Sequence, residues 1–245
     1  MSIKNPFNID YQELKKYTKY KKILFIVMGI LSIINVFFDK DYINTVLIIA
    51  YIILCVGDYV YNCWFEKCEK RRREDFFDNS FNTKLVIDIS EQYFTNDDHK
   101  YGIKKLGVNL FENAFFSKEI SSLMFKKKRM FMFFLSILLL ISLVYGFVNF
   151  KICLPIIQIL ISRAILLEYI EIYSYAKNIE RIFEGIKKSF SEKKGRELEK
   201  DIIKWVVDYE AILFSSKILL DDKIFNENNP KLSEKWTEIK KKYNL

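Results

Sequence analysis

The sequence predicts an all-α, polytopic membrane protein with two transmembrane helical hairpins and a helical cytosolic portion. Apolar and aromatic residues make up 51% of the 245 positions, and many of them are gathered into four long runs that carry almost no charge. Only 7 Gly and 3 Pro occur, which disfavours a sheet-rich fold or a glycine-rich phosphate loop. Long apolar runs are typical of membrane spans, in which a helix satisfies its own backbone hydrogen bonds.

The first predicted hairpin contains two of these runs. Ile23–Phe38 carries no charge and spans about 24 Å as a helix, somewhat less than a ~30 Å hydrocarbon core. Tyr42–Phe65 follows and contains one charged residue, Asp58. Because only residues 39–41 separate the two runs, we expect the two helices to be antiparallel neighbours.

The second predicted hairpin repeats this plan. Met130–Phe150 carries no charge, and Ile152–Ile172 contains Arg163, Glu168 and Glu171. The chain therefore divides into a cytosolic N-terminal segment, a first hairpin, a cytosolic helical segment, a second hairpin and a cytosolic C-terminal helical segment, which we place at 1–22, 23–65, 66–129, 130–172 and 173–245.

The distribution of positive charge predicts the orientation of the hairpins. Their tips hold only Lys40 and Lys151, whereas Lys and Arg crowd the opposite ends of the runs. Since positive flanks mark the cytoplasmic side, both termini are expected in the cytoplasm. The chain is expected to cross the inner membrane of the cell several times. Each basic cluster adjoins a run, which favours contact with anionic lipids over binding of nucleic acid.

Charged residues inside the apolar runs are candidate functional residues, since charge is costly in a bilayer. Asp58, Arg163 and Glu168 are the candidates for a membrane-embedded polar or gating site. Asp58 and Arg163 lie in the cytosolic halves of their runs and are expected to pair across the hairpins. Two interpretations stay open, namely an ion pair that holds the bundle together and a pore or gating role.

A second candidate region lies in the C-terminal segment, where apolar residues recur at three- and four-residue steps. This spacing predicts a helix with a coiled-coil-like seam that packs against other cytosolic helices or against another subunit of a homo-oligomer. The members of the seam are Leu198, Ile202, Trp205, Tyr209, Ile212 and Leu219.

Further along the chain, Asn228-Asn229-Pro230 predicts a turn before a short last helix that begins at Leu232.

The residues give no support for catalysis or for a bound cofactor. The chain has one histidine, His99, and its neighbours Asp97 and Asp98 are adjacent residues that rarely converge on one metal ion. Motifs for nucleophilic catalysis, nucleotide phosphates or zinc are absent from the sequence. We therefore expect a protein that is not an enzyme, with no metal and no cofactor.

Two cytosolic stretches carry a family resemblance. RRREDFFDNSFNTKL (Arg71 to Leu85) is similar to a Phe-Asp patch that follows the first hairpin of the SMODS-associated four-transmembrane effector family. LLDDKIFNENNPKLSEKW (Leu219 to Trp236) resembles a second motif of that family, although Asp221 to Phe225 replaces its central residues and an expected Arg is missing. The resemblance implies a bacterial anti-phage effector that disrupts or permeabilises the membrane when a nucleotide-second-messenger system fires.

Three functions remain open on the sequence. A four-span effector would take a cyclic nucleotide ligand or a soluble sensor partner, and the cytosolic Lys and Arg residues would attract an anionic nucleotide. A membrane-anchored scaffold or accessory subunit would dock a soluble partner through its cytosolic helices. A small channel or transporter would need a polar path or broken helices, for which Pro155 is the only signal.

Overall fold

Helices make up most of the computed structural model, which describes residues 8–38, 40–87, 94, 96, 98–146 and 166–245. No strand occurs in these ranges, so the predicted all-α class is confirmed for the described residues. The helices are α1 (Asn8–Phe38), α2 (Asp41–Phe81), α3 (Ile103–Gly146), α4 (Glu168–Glu192), α5 (Gly195–Ser216) and α6 (Asp222–Tyr243).

Local sequence explains the joint between α5 and α6. Helix α5 ends because Lys217 adopts a left-handed conformation, with φ of 52°, and its N–H donates to the carbonyl of Leu213 at 3.3 Å. Helix α6 begins at Asp221, whose side chain accepts hydrogen bonds from the backbone N–H groups of Lys223 and Ile224 at 2.9 and 3.1 Å. Leu219 therefore lies between the two helices, outside the seam to which the sequence assigned it.

The turn predicted at Asn228-Asn229-Pro230 is wrong. Pro230 lies inside α6, which runs unbroken from Asp222 to Tyr243. A proline removes one backbone donor from a helix, but the Asp221 cap fixes the start of α6 upstream of it. Beyond the proline, the buried side chains of Leu232 and Trp236 hold the second half of the helix in the core.

The described residues form two compact units. The first contains Glu66–Phe125, Ile172–Leu245 and the N-terminal residues up to Tyr11, and we call it the helical unit. The second contains Gln12–Phe65 and Lys126–Glu171, and we call it the apolar unit. Helices α1, α2, α3 and α4 contribute residues to both.

The core of the helical unit is built around the ring of Phe111 on α3. Its centroid lies 5.5 Å from those of Phe183 and Trp236, 5.7 Å from that of Tyr243 and 5.8 Å from that of Phe190. These rings come from α3, α4 and α6, so one aromatic cluster fixes three helices. Aromatic pairs at such distances contribute about 0.5–1.5 kcal/mol each beyond their buried area.

The apolar unit differs from the helical unit because it exposes large apolar side chains along its helices. Among the described residues one helix, α2, is long and apolar enough to cross a membrane, and only 11% of its most apolar stretch is buried. A core helix of a soluble protein would be mostly buried, whereas α2 is not. The further spans that the sequence predicts stay predictions.

The packing of α4 on α5 gives a stability prediction. A methyl group at Gly185 would collide with the ring of Trp205, which lies directly over it. Gly185→Ala should therefore destabilise the protein by about 1–3 kcal/mol, although the same change in an open helix is stabilising. Thermal unfolding followed by circular dichroism in detergent measures this.

Ser215→Ala is the matched control, because it adds no atoms at an exposed position of α5 and should stay within about 0.5 kcal/mol of the wild type. An unchanged or raised melting temperature for Gly185→Ala would show that α4 and α5 are not packed this closely.

Candidate functional site

The apolar unit contains a set of charged side chains that join its helices. Asp58 of α2 accepts from Lys21 of α1 at 2.5 Å and from the hydroxyl of Tyr17 at 3.4 Å. The ring of Tyr17 approaches so closely only because its neighbour on α2 is Gly57, where any Cβ would collide with the phenol. Tyr17 also stacks on Tyr61 of α2, with ring centroids 5.3 Å apart.

The second carboxylate, Glu168, joins three helices at once. One oxygen accepts from Lys22 of α1 at 2.7 Å and the other accepts from Lys128 of α3, also at 2.7 Å. Glu168 itself is the first residue of α4. We call Lys21, Lys22, Asp58, Lys128 and Glu168 the ionic layer.

The ionic layer lies where the uncharged stretches of the helices end. Uncharged residues extend from it over 23–38 of α1 and 42–57 of α2, for roughly 24 Å each, and over 130–146 of α3, where the described part of that helix ends. The stretches of α1 and α2 are thus equally long, slightly less than a ~30 Å hydrocarbon core. The charged side chains are paired at the ends of these stretches rather than along them.

The sequence predicted Asp58 and Glu168 as candidates but not their partners. Arg163, the expected partner of Asp58, lies outside the described residues. In the structure Asp58 pairs with Lys21, which the sequence assigned to the headgroup region. A signal for this pair does exist, because Lys21 lies 19 positions before Lys40 and Asp58 lies 18 positions after it. In an antiparallel hairpin, positions equally far from the tip are neighbours.

A second charge cluster, which the sequence did not predict, is buried in the helical unit. Arg72 of α2 donates to Glu69 of α2 at 2.9 Å and to Glu210 of α5. The hydroxyl of Tyr11 donates to the other oxygen of Glu69 at 2.6 Å. Burial disfavours the charge of Arg72, but the carboxylates of Glu210 and Glu69 outweigh it and hold the pKa of the guanidinium above its ordinary value.

The predicted seam on α5 packs inside the helical unit. Ile202 and Tyr209 are fully buried, and the hydroxyl of Tyr209 lies 3.3 Å from that of Ser117 on α3. Trp205 covers Gly185, and its indole N–H donates to Ser189 at 3.2 Å. Leu198 and Ile212 are partly buried against the same core.

The stretch that carries the first family resemblance forms the last residues of α2 and the first residues after it. Asp78 accepts from the backbone N–H groups of Leu85 and Val86 at 2.9 Å, which fixes the chain where it leaves α2. The side-chain amide of Asn109 on α3 donates to Asn79 at 2.8 Å and to Ser80 at 3.2 Å. These hydrogen bonds fix Leu85 and Val86 beside the end of α2 and tie that end to α3.

Charged side chains that join helices can keep the helices together or, when they separate, release them. Comparison of the chain with protein-family models, with characterised proteins and with solved structures finds no match. The functional argument therefore depends on the contacts of the ionic layer and on the exposed surfaces of the two units.

The bridging position of Glu168 gives the second prediction. Glu168→Ala leaves Lys22 and Lys128 facing each other without the carboxylate, and we expect a loss of about 1–3 kcal/mol of stability because the site is partly buried. Thermal unfolding in detergent at low and high salt measures the loss.

Glu180→Ala is the matched control, since Glu180 pairs with Lys177 on the exposed surface of α4 and should have no measurable effect. Equal behaviour of the two variants would mean that the Glu168 bridge does not hold α1, α3 and α4 together.

Proposed function

We propose that this chain is a multi-pass inner-membrane effector that permeabilises the membrane in a bacterial anti-phage defence system. Its two apolar hairpins would cross the bilayer four times, and its helical unit would lie in the cytoplasm with both termini. The observation that carries the proposal is the apolar surface exposed by three helices of the apolar unit, together with the ionic layer at its end.

The exposed side chains support membrane insertion by their size and number. Soluble monomers rarely expose contiguous apolar patches of more than a few hundred Å². One helix already meets the length and composition of a span, and the proposal extends this to the other runs. On α1, α2 and α3 the large side chains that are exposed include Ile26, Val27, Ile30, Ile34, Ile48, Ile49, Ile52, Ile53, Val56, Phe133, Phe134, Leu138, Leu140 and Ile141.

The ionic layer supports a closed arrangement of the helices. Both of its carboxylates have lysine partners, and Glu168 links α1, α3 and α4. Opening would separate Glu168 from one of its lysines. A signal achieves this only if it binds the open arrangement better than the closed one. The family resemblance suggests that the signal is a cyclic nucleotide or a soluble sensor protein.

A scaffold that docks a soluble partner is the second candidate function. One observation favours it, namely a row of exposed apolar side chains on α5, outside the apolar unit. A scaffold would bind its partner there and would leave the membrane intact, so the two functions differ in their effect on the membrane potential.

The proposed topology predicts which residues reagents can reach from outside. With the four native cysteines replaced by serine, a cysteine introduced at Lys40 should react with a membrane-impermeant maleimide in intact cells. A cysteine introduced at Lys200 should react only after the membrane is opened. Both residues are exposed, so burial does not explain a difference. Labelling of Lys200→Cys in intact cells would exclude the orientation.

The proposed activity predicts loss of membrane potential before lysis when the chain is overproduced in bacterial cells. Ile49→Asp/Ile53→Asp places two carboxylates on the exposed face of α2, and each costs roughly 2.5–3.5 kcal/mol near the centre of a span. This double variant should be absent from the membrane fraction, and the cells that produce it should keep their membrane potential. A potential-sensitive dye and fractionation measure both effects.

Leu85→Asp/Ile87→Asp makes the same chemical change at exposed positions after α2 and should behave like the wild type. The wild-type chain could instead lie in the membrane and leave the membrane potential unchanged, both with and without its signal. In that case the scaffold function is correct and the effector function is wrong.

A further inference from the structure

Helix α5 has a second apolar face that the core of the helical unit does not use. Ile203, Val207 and Phe214 are 49%, 61% and 41% exposed, and Ala211 between them is exposed as well. Their spacing of four, four and three residues places them in one row along the helix. We call this row the outer stripe. The opposite face carries Ile202, Val206 and Tyr209, all of them buried.

We propose that the outer stripe binds the outer stripe of a second copy of this chain, antiparallel and centred on Val207. In this register Val207 meets Val207 of the second copy, and the large Ile203 faces the small Ala211. Alternation of large and small side chains lets two helices pack closely. One turn further out, the aliphatic stem and ammonium of Lys200 would lie over the ring of Phe214, as cations do on aromatic faces.

The charges beside the outer stripe match the same arrangement. Lys204 and Asp208 follow each other by one helical turn on the same flank. Around a two-fold axis between antiparallel helices, each flank meets its own counterpart, so Lys204 would approach Asp208 of the second copy. Within the described residues Asp208 has no ion-pair partner, whereas Lys204 lies over the ring of its neighbour Trp205, at 4.6 Å, and its charge also acts on Asp201.

The flanking acids also argue against a lipid surface as the occupant of the outer stripe. Glu199 and Asp208 lie on either side of the row and would be repelled by anionic headgroups. A second copy supplies a lysine for Asp208, which the headgroups do not. This inference deepens the proposed function by naming a surface for self-association, and it rests on that function only for its role in defence.

Cross-linking of the full-length chain in detergent tests the arrangement. With the native cysteines replaced by serine, Val207→Cys should form an intermolecular disulfide on mild oxidation and run at twice the monomer mass. Glu199→Cys is the matched control, exposed on the same helix but about 24 Å from its counterpart in this register. Equal cross-linking of both variants, or none for Val207→Cys, would overturn the proposal.

A charge exchange separates this dimer from a complex with a different partner. Asp208→Lys should weaken self-association about tenfold, and Lys204→Asp/Asp208→Lys should restore it, as measured by mass photometry of the purified protein. A wild-type chain that is monomeric would also overturn the proposal, as would a double variant that does not recover self-association. If the chain forms these dimers but the cells that produce it keep their membrane potential, only the proposed function is overturned. If the chain depolarises the cells but forms no cross-link, only this inference is overturned.

Discussion

The interaction on which the apolar unit most depends is the bridge from Glu168 to Lys22 and Lys128. Three helices contribute to it, namely α1, α3 and α4. Its position follows from a simple constraint. In the proposed membrane-spanning arrangement, charge along an apolar stretch would be costly, so the carboxylates that hold the helices together would have to lie where those stretches end.

The helical unit meets a related constraint in a different way. Glu69 and Glu210 are buried and Arg72 is partly buried, and two carboxylates around one guanidinium leave an excess of negative charge. Buried ion pairs add little net stability, but loss of one partner costs roughly 3–5 kcal/mol, which makes such a cluster a device for fixing geometry. Here the cluster fixes α2 against α5, while the aromatic side chains around Phe111 supply the apolar contacts.

The sequence predicted those features that depend on local pattern. The helical class and the inward face of α5 at Ile202 and Tyr209 follow from spacing alone. Spacing did not predict that α5 ends before Leu219 or that α6 continues through Pro230. These two features depend on a single cap at Asp221 and on the burial of Trp236 in the tertiary structure. The pair of Asp58 and Lys21 was not predicted either, since Lys21 lies at the edge of the first apolar run and not inside a run.

The charges of the ionic layer explain why its members are not equivalent. Three lysines face two carboxylates, which gives 3 − 2 = +1 for the layer. Loss of one lysine at Glu168 still leaves the carboxylate one partner. Loss of Glu168 instead sets two lysines against each other with no compensating charge between them. The carboxylate is supplied by the first residue of α4, and further along the same helix Tyr175 and Ile179 are buried in the core of the helical unit.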